Sequence, residues 1–118
     1  MTERTITISG HEVKFRSSAA IPRLYRMRFG RDIFSDLNAL EKSFTANNKK
    51  KASSLSVGDL ETFENIAYIM AWHATPGIPE DINEWLGQFE MFSIYEILPE
   101  ILAMWNVNLK TDVVPKKK

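Results

Sequence analysis

The chain has 118 residues, 44% of them hydrophobic and 25% charged, an ordinary globular mixture that excludes a wholly disordered polymer. Fifteen basic and fifteen acidic residues cancel, so no global field draws the protein onto nucleic acid or an anionic membrane. The absence of cysteine excludes disulfides, thiolate metal sites and cysteine nucleophiles, and it suits a reducing compartment.

The length fits one domain, expected over residues 1–109. No apolar run follows a basic start, so no signal peptide is expected. No stretch approaches the ~20 apolar residues of a membrane helix. No repeat stands at a solenoid period.

Residues 4–16 alternate in polarity, with Ile6, Ile8, Val13 and Phe15 apolar and Thr5, Thr7, Glu12 and Lys14 polar. A hairpin turning at Gly10-His11 pairs Ile8 with Val13 and Ile6 with Phe15, and all four fall on one face. A lone hairpin is marginal in water, so this one should lie against helices.

Ser17 and Ser18 offer capping hydroxyls, and Pro22 fits a first helical turn. Ile21, Leu24, Tyr25 and Phe29 follow a helical spacing that Gly30 stops. Asp32 opens a second helix, in which Ile33, Leu37, Leu40 and Phe44 form the cleanest apolar stripe of the chain. Asp36, Asn38, Glu41 and Lys42 are assigned to its other faces.

The polar stretch around residues 45–56, with Lys49, Lys50 and Lys51 inside it, predicts a mobile loop. Ser56 and Asp59 form a weak capping box for a third helix. That helix is apolar nearly all round, through Leu60, Phe63, Ile66, Ala67, Ile69, Met70, Ala71 and Trp72, and belongs in the centre of a bundle. Pro79 suits the first position of a fourth helix, with the stripe Ile82, Trp85, Leu86 and Phe89. Ser93 and Glu96 form a capping box for the fifth, whose stripe runs Ile94, Ile97, Leu98, Ile101, Leu102 and Trp105 around a kink at Pro99. The pattern stops after Leu109, and residues 110–118 read as a disordered basic tail. The expected fold is mainly α: a small bundle of about five helices with an N-terminal β-hairpin.

Chemistry is hard to assemble from these residues. The two histidines, His11 in a turn and His73 at a helix end, form no metal-ligand pair. The serines fall mainly at caps or in the loop. Glu80 and Asp81 are explained by a helix dipole. Five glycines show no phosphate-cradling spacing. No catalytic, cofactor-binding or metal residue is assigned, and no enzyme is expected.

Two features concern partners. Arg23, Arg26, Arg28 and Arg31 gather around one helix, which keeps open an alternative reading: a small helical nucleic-acid-binding regulator using residues 22–31. The lysine runs at 49–51 and 116–118 read better as solvated loop and tail. Trp85, Phe89, Phe92, Tyr95 and Trp105, with Met91 and Met104, are more aromatic and sulfur surface than a short domain readily buries. Part of the five aromatic residues is expected to line a protein-binding groove.

The segment Ile21-Pro22-Arg23-Leu24-Tyr25-Arg26, then Phe29-Gly30-Arg31-Asp32, resembles the early motif of tail assembly chaperones of long-tailed bacteriophages. Ile97-Leu98-Pro99-Glu100-Ile101-Leu102, then Trp105 and Asn108-Leu109-Lys110-Thr111, resembles the C-terminal signature of that family. The motif residues are Pro22, Tyr25, Arg26, Phe29, Gly30 and Asp32, and the resemblance runs in order over nearly the whole chain. It implies a chaperone that coats the long helical tape measure protein while tail tube subunits polymerise around it. It further implies a host-cytoplasmic protein that leaves before the virion is complete, and a longer product made by ribosomal frameshifting. Self-association is expected from the aromatic groove, which copies of the chain can bury against one another until the client arrives, and no cofactor is expected. Membrane and nucleic-acid partners are not expected.

Overall fold

The computed structural model describes residues 2–50 and 56–105. Polar–apolar alternation near the N-terminus produces the expected hairpin, in which β1 (Thr2–Ile8) pairs antiparallel with β2 (His11–Ser17). The turn is Ser9-Gly10 rather than Gly10-His11, and the register pairs Ile8 with His11, Ile6 with Val13 and Arg4 with Phe15. Ser9 and Gly10 both take positive φ, 51° and 82°, as the tight turn of twisted strands requires. Such a φ is unusual for serine. Ser9 Oγ holds it by donating to the Met91 carbonyl at 2.8 Å and accepting from the Met91 N–H at 2.9 Å. The corrected register preserves the face: Ile8 and Phe15 are buried, and Ile6 and Val13 pack partly against the core.

Helix α1 (Ala20–Phe29) ends as the sequence predicts, with Gly30 at φ 71° and its N–H on the Arg26 carbonyl at 2.8 Å. Ser18 supports its start, where Oγ accepts from the Ala20 N–H at 3.2 Å. Helix α2 (Ile33–Lys50) opens under Asp32, whose carboxylate accepts from the Phe34 N–H at 3.0 Å and the Ser35 hydroxyl at 3.3 Å. Its stripe Ile33, Leu37, Leu40 and Phe44 is buried throughout. The helix continues to Lys50, so the loop expected from residue 45 begins later. Straight-chain and alanine residues in that stretch tolerate a helix, and polarity alone does not stop one. The rest of that loop at 51–55 and the expected tail at 110–118 lie outside the described residues.

Helix α3 (Val57–Ala74) starts with the Ser56–Asp59 capping box complete in both directions. Phe63, Ile66, Ala67, Tyr68, Ile69, Met70 and Ala71 are buried, an all-round enclosure over its middle. Leu60, near its start, is exposed instead. β2, α1, α2, α4 and α5 all pack on α3.

Helix α4 (Ile82–Leu86) is shorter than expected. Pro79 precedes it and spends its carbonyl on the Tyr68 hydroxyl. Phe89 falls beyond its end. Helix α5 (Ile94–Met104) carries Pro99 inside and buries Ile94, Ile97, Leu98, Ile101, Leu102 and Met104. Ser93 is its N-cap, but no side-chain capping bond forms, so the expected Ser93–Glu96 box is absent. Among the described residues the fold is a mainly helical globule of five helices with an N-terminal hairpin.

One buried polar group sets the angle between α1 and α2. Asp36, assigned to an outer face by its sequence position, points inward and is 4% exposed. It accepts from the Tyr25 hydroxyl at 2.6 Å and from Arg31 Nε and Nη2 at 2.8 and 2.7 Å. Burial pushes this carboxyl up, but the Arg31 guanidinium and the Tyr25 hydroxyl outweigh burial and hold it below its ordinary value. Burial and the carboxylate together push the Tyr25 hydroxyl far above its ordinary range.

Asp36→Ala leaves the buried Tyr25 hydroxyl without its acceptor and should cost about 2 kcal/mol in a urea melt. Arg31 is largely solvated, so its lost ion pair adds little. A carboxyl depressed in the fold contributes stability that is present above its unfolded value and lost as pH falls through its folded value. Asp36→Asn should therefore flatten the acid limb of the stability–pH curve, and an unchanged acid limb would remove Asp36 as its source.

Candidate protein-binding surface

The five aromatic residues singled out by composition divide into two groups. Trp85 is 1% exposed and sits at the centre of a closed cluster. Tyr68, Phe89 and Phe92 meet its ring at centroid distances of 5.5, 5.4 and 5.4 Å, and Phe63 stacks on Phe92 at 5.4 Å. Phe89 also meets the His11 edge at 5.6 Å, which ties the hairpin turn to this cluster. Phe89 and Phe92 are partly buried against the core. Trp85 is buried and these three rings hold α4 and the following chain on α3, while Trp85 and Phe89 also border a cleft of about 380 Å³ beside His11, Val13 and Ile78.

Tyr95 and Trp105 belong to a different surface. They stand at the two ends of α5 and each meets a ring from α2. Phe34 lies edge-on to Trp105 at 5.8 Å, and Phe44 lies against Tyr95 at 5.8 Å. The start of α2 therefore adjoins the end of α5, and the two helices run in opposite senses. Their side chains meet without an extended close approach of the backbones. Phe44 is buried, whereas Phe34 is 51% and Tyr95 49% exposed. Trp105 is anchored from beneath, where its indole N–H reaches the Met70 sulfur at 3.4 Å. The pairs are ten residues apart on α2, about 15 Å along the helix. The α2–α5 seam thus carries a half-exposed ring toward each end, Phe34 beside Trp105 and Tyr95 beside Phe44, above buried apolar side chains such as Leu37 and Leu98.

Sequence reasoning missed Phe34. It sits one position past Ile33 in the buried stripe, a step of about 100° around the helix that turns it outward. A large aromatic at an outward helical position was the available signal. Met27 and Met91 are further exposed apolar side chains, at 68% and 69%.

The arginine group is largely spent on structure. Arg28 donates to the Glu80 carbonyl at 2.7 Å and lies over the Tyr68 ring at 4.9 Å. Arg31 is paired with Asp36. Only Arg23 and Arg26 remain exposed without a bonded partner among the described residues, too few for a phosphate-tracking face. A cleft of about 590 Å³ is lined by Arg28 and Arg31 together with Asp36, Asp59 and Glu61, so its opposite charges largely offset one another.

The motif residues build the α1–α2 corner. Pro22 lies in the first turn of α1, and Tyr25 bonds Asp36. The Arg26 carbonyl takes the Gly30 N–H, Phe29 packs on Tyr25 at 5.0 Å, and Asp32 caps α2. Their side chains serve the fold, and only Arg26 presents its side chain to solvent away from this packing.

Among the described residues no three metal-ligating side chains gather. Ser18 Oγ lies 3.1 Å from His73 Nε2, a serine–histidine contact that sequence separation conceals. The third neighbour is cationic: burial first, then the Arg16 guanidinium, pushes the His73 imidazole below its ordinary value. A base in a triad needs a carboxylate to orient it and to stabilise its cation, and Arg16 does the opposite. Ser18 is moreover engaged by the Ala20 N–H. The contact is a structural link between α1 and α3. No helix among the described residues is long and apolar enough to cross a membrane.

No protein family, curated protein or solved structure matches the chain.

The His73 environment yields a pH dependence with a defined sign. An imidazole depressed in the fold binds fewer protons than the unfolded chain below the ordinary value of 6.5. Stability should therefore fall as pH drops through that value, and His73→Gln should remove this part of the slope. Thermal melts from neutral pH to about pH 5 measure it, and identical slopes for both proteins would exclude His73.

Proposed function

We propose that this protein is a non-catalytic binding protein, and specifically a phage tail assembly chaperone that keeps the tape measure protein soluble during tail morphogenesis. The observation that carries the reading is the α2–α5 seam, with the rings of Phe34 and Tyr95 half-exposed at its opposite ends. A tape measure protein is long and helical, and bare amphipathic helices aggregate through their apolar stripes. The spacing of about 15 Å is just under three turns of a client helix, so an apolar stripe with residues at i and i+10 or i+11 would meet both rings. The motif order at 21–32 and 97–111 supplies the specific assignment. Recruitment of tail tube subunits belongs to the same proposal.

Binding of this kind is mostly apolar and concentrated in a few anchors. Phe34→Ser and Tyr95→Ser alter exposed rings, so both variants should fold with unchanged far-UV spectra. Co-expressed with the tape measure protein, the double variant should leave that client in the pellet, whereas the parent keeps it soluble. Each single change should weaken binding by roughly tenfold or more, the scale of an interface anchor. A folded double variant that still solubilises the client would overturn the seam as its binding surface.

A further inference from the structure

The hairpin is two-stranded, so each strand has an edge that its partner does not satisfy. The register and turn fix which groups face outward. With a two-residue turn at Ser9-Gly10, the closing pair Ile8–His11 exchanges both main-chain hydrogen bonds. Alternation then makes Ile6–Val13 and Arg4–Phe15 bonded pairs. The pairs Glu3–Arg16, Thr5–Lys14 and Thr7–Glu12 are non-bonded, with their side chains close together. The Glu3–Arg16 ion pair at 3.1 Å agrees with that assignment. The N–H and C=O groups of Glu3, Thr5 and Thr7 accordingly point away from β2, and no described residue bonds them. All three residues are exposed.

The two edges differ in what surrounds them. α3 packs extensively on β2, whereas α5 is the helix among the described residues that packs on β1, tied by the Arg4–Glu100 ion pair. The usual protections of an open edge are a proline, a bulge or an outward lysine. β1 has none of these: its sequence is Thr-Glu-Arg-Thr-Ile-Thr-Ile, every residue from Thr2 to Ile8 has its β2 partner in unbroken register, and its two charged side chains, Glu3 and Arg4, are each held in an ion pair, with Arg16 and Glu100.

We propose that the outer edge of β1 docks against the same edge of a second copy of this chain. The chemistry calls for an extended backbone with complementary donors and acceptors, and the identical edge of another copy supplies one. Antiparallel pairing of a strand with itself has a twofold axis, so both edges are satisfied by one isologous contact. An axis at Thr5 pairs Thr5 with Thr5 and Glu3 with Thr7 of the second copy, which uses all three outward residues as bonded pairs. It places Arg4 beside Ile6 of the second copy and keeps the two Arg4 side chains apart. An axis at Arg4 would oppose two like charges, which is destabilising. The product is a four-stranded sheet with β1 strands at its centre. The α2–α5 seam takes no part in this pairing, so the inference is independent of the proposed client.

Sedimentation of the full chain without any client tests it. The parent should shift from monomer to twice the monomer mass with rising concentration. Thr5→Pro removes an outward N–H without touching the β1–β2 ladder, a position where an edge strand accepts proline. Thr5→Lys opposes two ammonium groups at the axis, in case the proline variant fails to fold. Either folded variant should weaken the dimer by about tenfold or more. The chain has no cysteine, so a single Thr5→Cys reports geometry directly. Its Cα atoms would lie about 5.5 Å apart across the axis, within reach of a short bis-maleimide. Thr5→Cys should cross-link efficiently and Lys14→Cys, on the other strand, should not. A parent that stays monomeric at every concentration, a dimer untouched by Thr5→Lys, or equal cross-linking at both cysteines would each overturn the proposal.

Discussion

The enclosure of α3 constrains everything around it. Over residues 66–71 that helix has almost no solvent side, because six consecutive side chains from Ile66 to Ala71 are buried. An element of this kind is stable only when surrounded, since each exposed large side chain forfeits roughly 1.5–3 kcal/mol of burial. The hairpin covers it through β2, α1 and α2 cover a second side, and α4 and α5 close the rest. The hairpin would be marginal alone, and α4, with five residues, is too short to persist outside the packing that Trp85 gives it. Folding is cooperative in this sense: the central helix needs its cover, and the cover needs the central helix.

Within that cover, polar groups fix angles that apolar packing leaves loose. Hydrophobic contact is non-directional, so α1 and α2 could pack at several inclinations. The Asp36 carboxylate, reached by Tyr25 from α1 and by both nitrogens of the Arg31 fork, selects one. Tyr68 reaching the Pro79 carbonyl does the same for the chain before α4, and Ser9 gripping Met91 does it for the hairpin turn. Each bond joins segments distant in the chain or at a corner. Removing one partner strands a polar group and costs more than the bond itself contributes.

The surface that remains has two unlike regions. The β1 edge offers main-chain donors and acceptors in a row and asks for an extended partner. The α2–α5 seam offers half-open rings and asks for an apolar helical face. They use different chemistry, so occupation of one does not require the other to change.

Much of this was legible in the chain. The alternation at 4–16, the stripe at 33–44, the Ser56–Asp59 box, the Gly30 stop and the all-round apolar helix depend on local periodicity and on backbone preferences of single residues. Tertiary packing does not easily reverse such features. The turn register was not legible, because two placements of the turn put the same four apolar residues on one face, and only the Met91 contact makes positive φ at Ser9 tolerable. The extension of α2 to Lys50 and the late start of α4 were hidden for a related reason, since polar stretches and prolines set preferences and not boundaries. Asp36 reads as a solvated helix residue until Tyr25 and Arg31 are seen to converge on it. The aromatic surplus at 85–105 was countable, but its division into a cluster around a buried Trp85 and a seam with a half-exposed Tyr95 was not. Composition counts rings, whereas exposure depends on which helix lies opposite each one. The sequence by itself determined which segments would seek burial; the tertiary arrangement decided which side chains were left over, because only a finite core, once filled, leaves Phe34 and Tyr95 outside it.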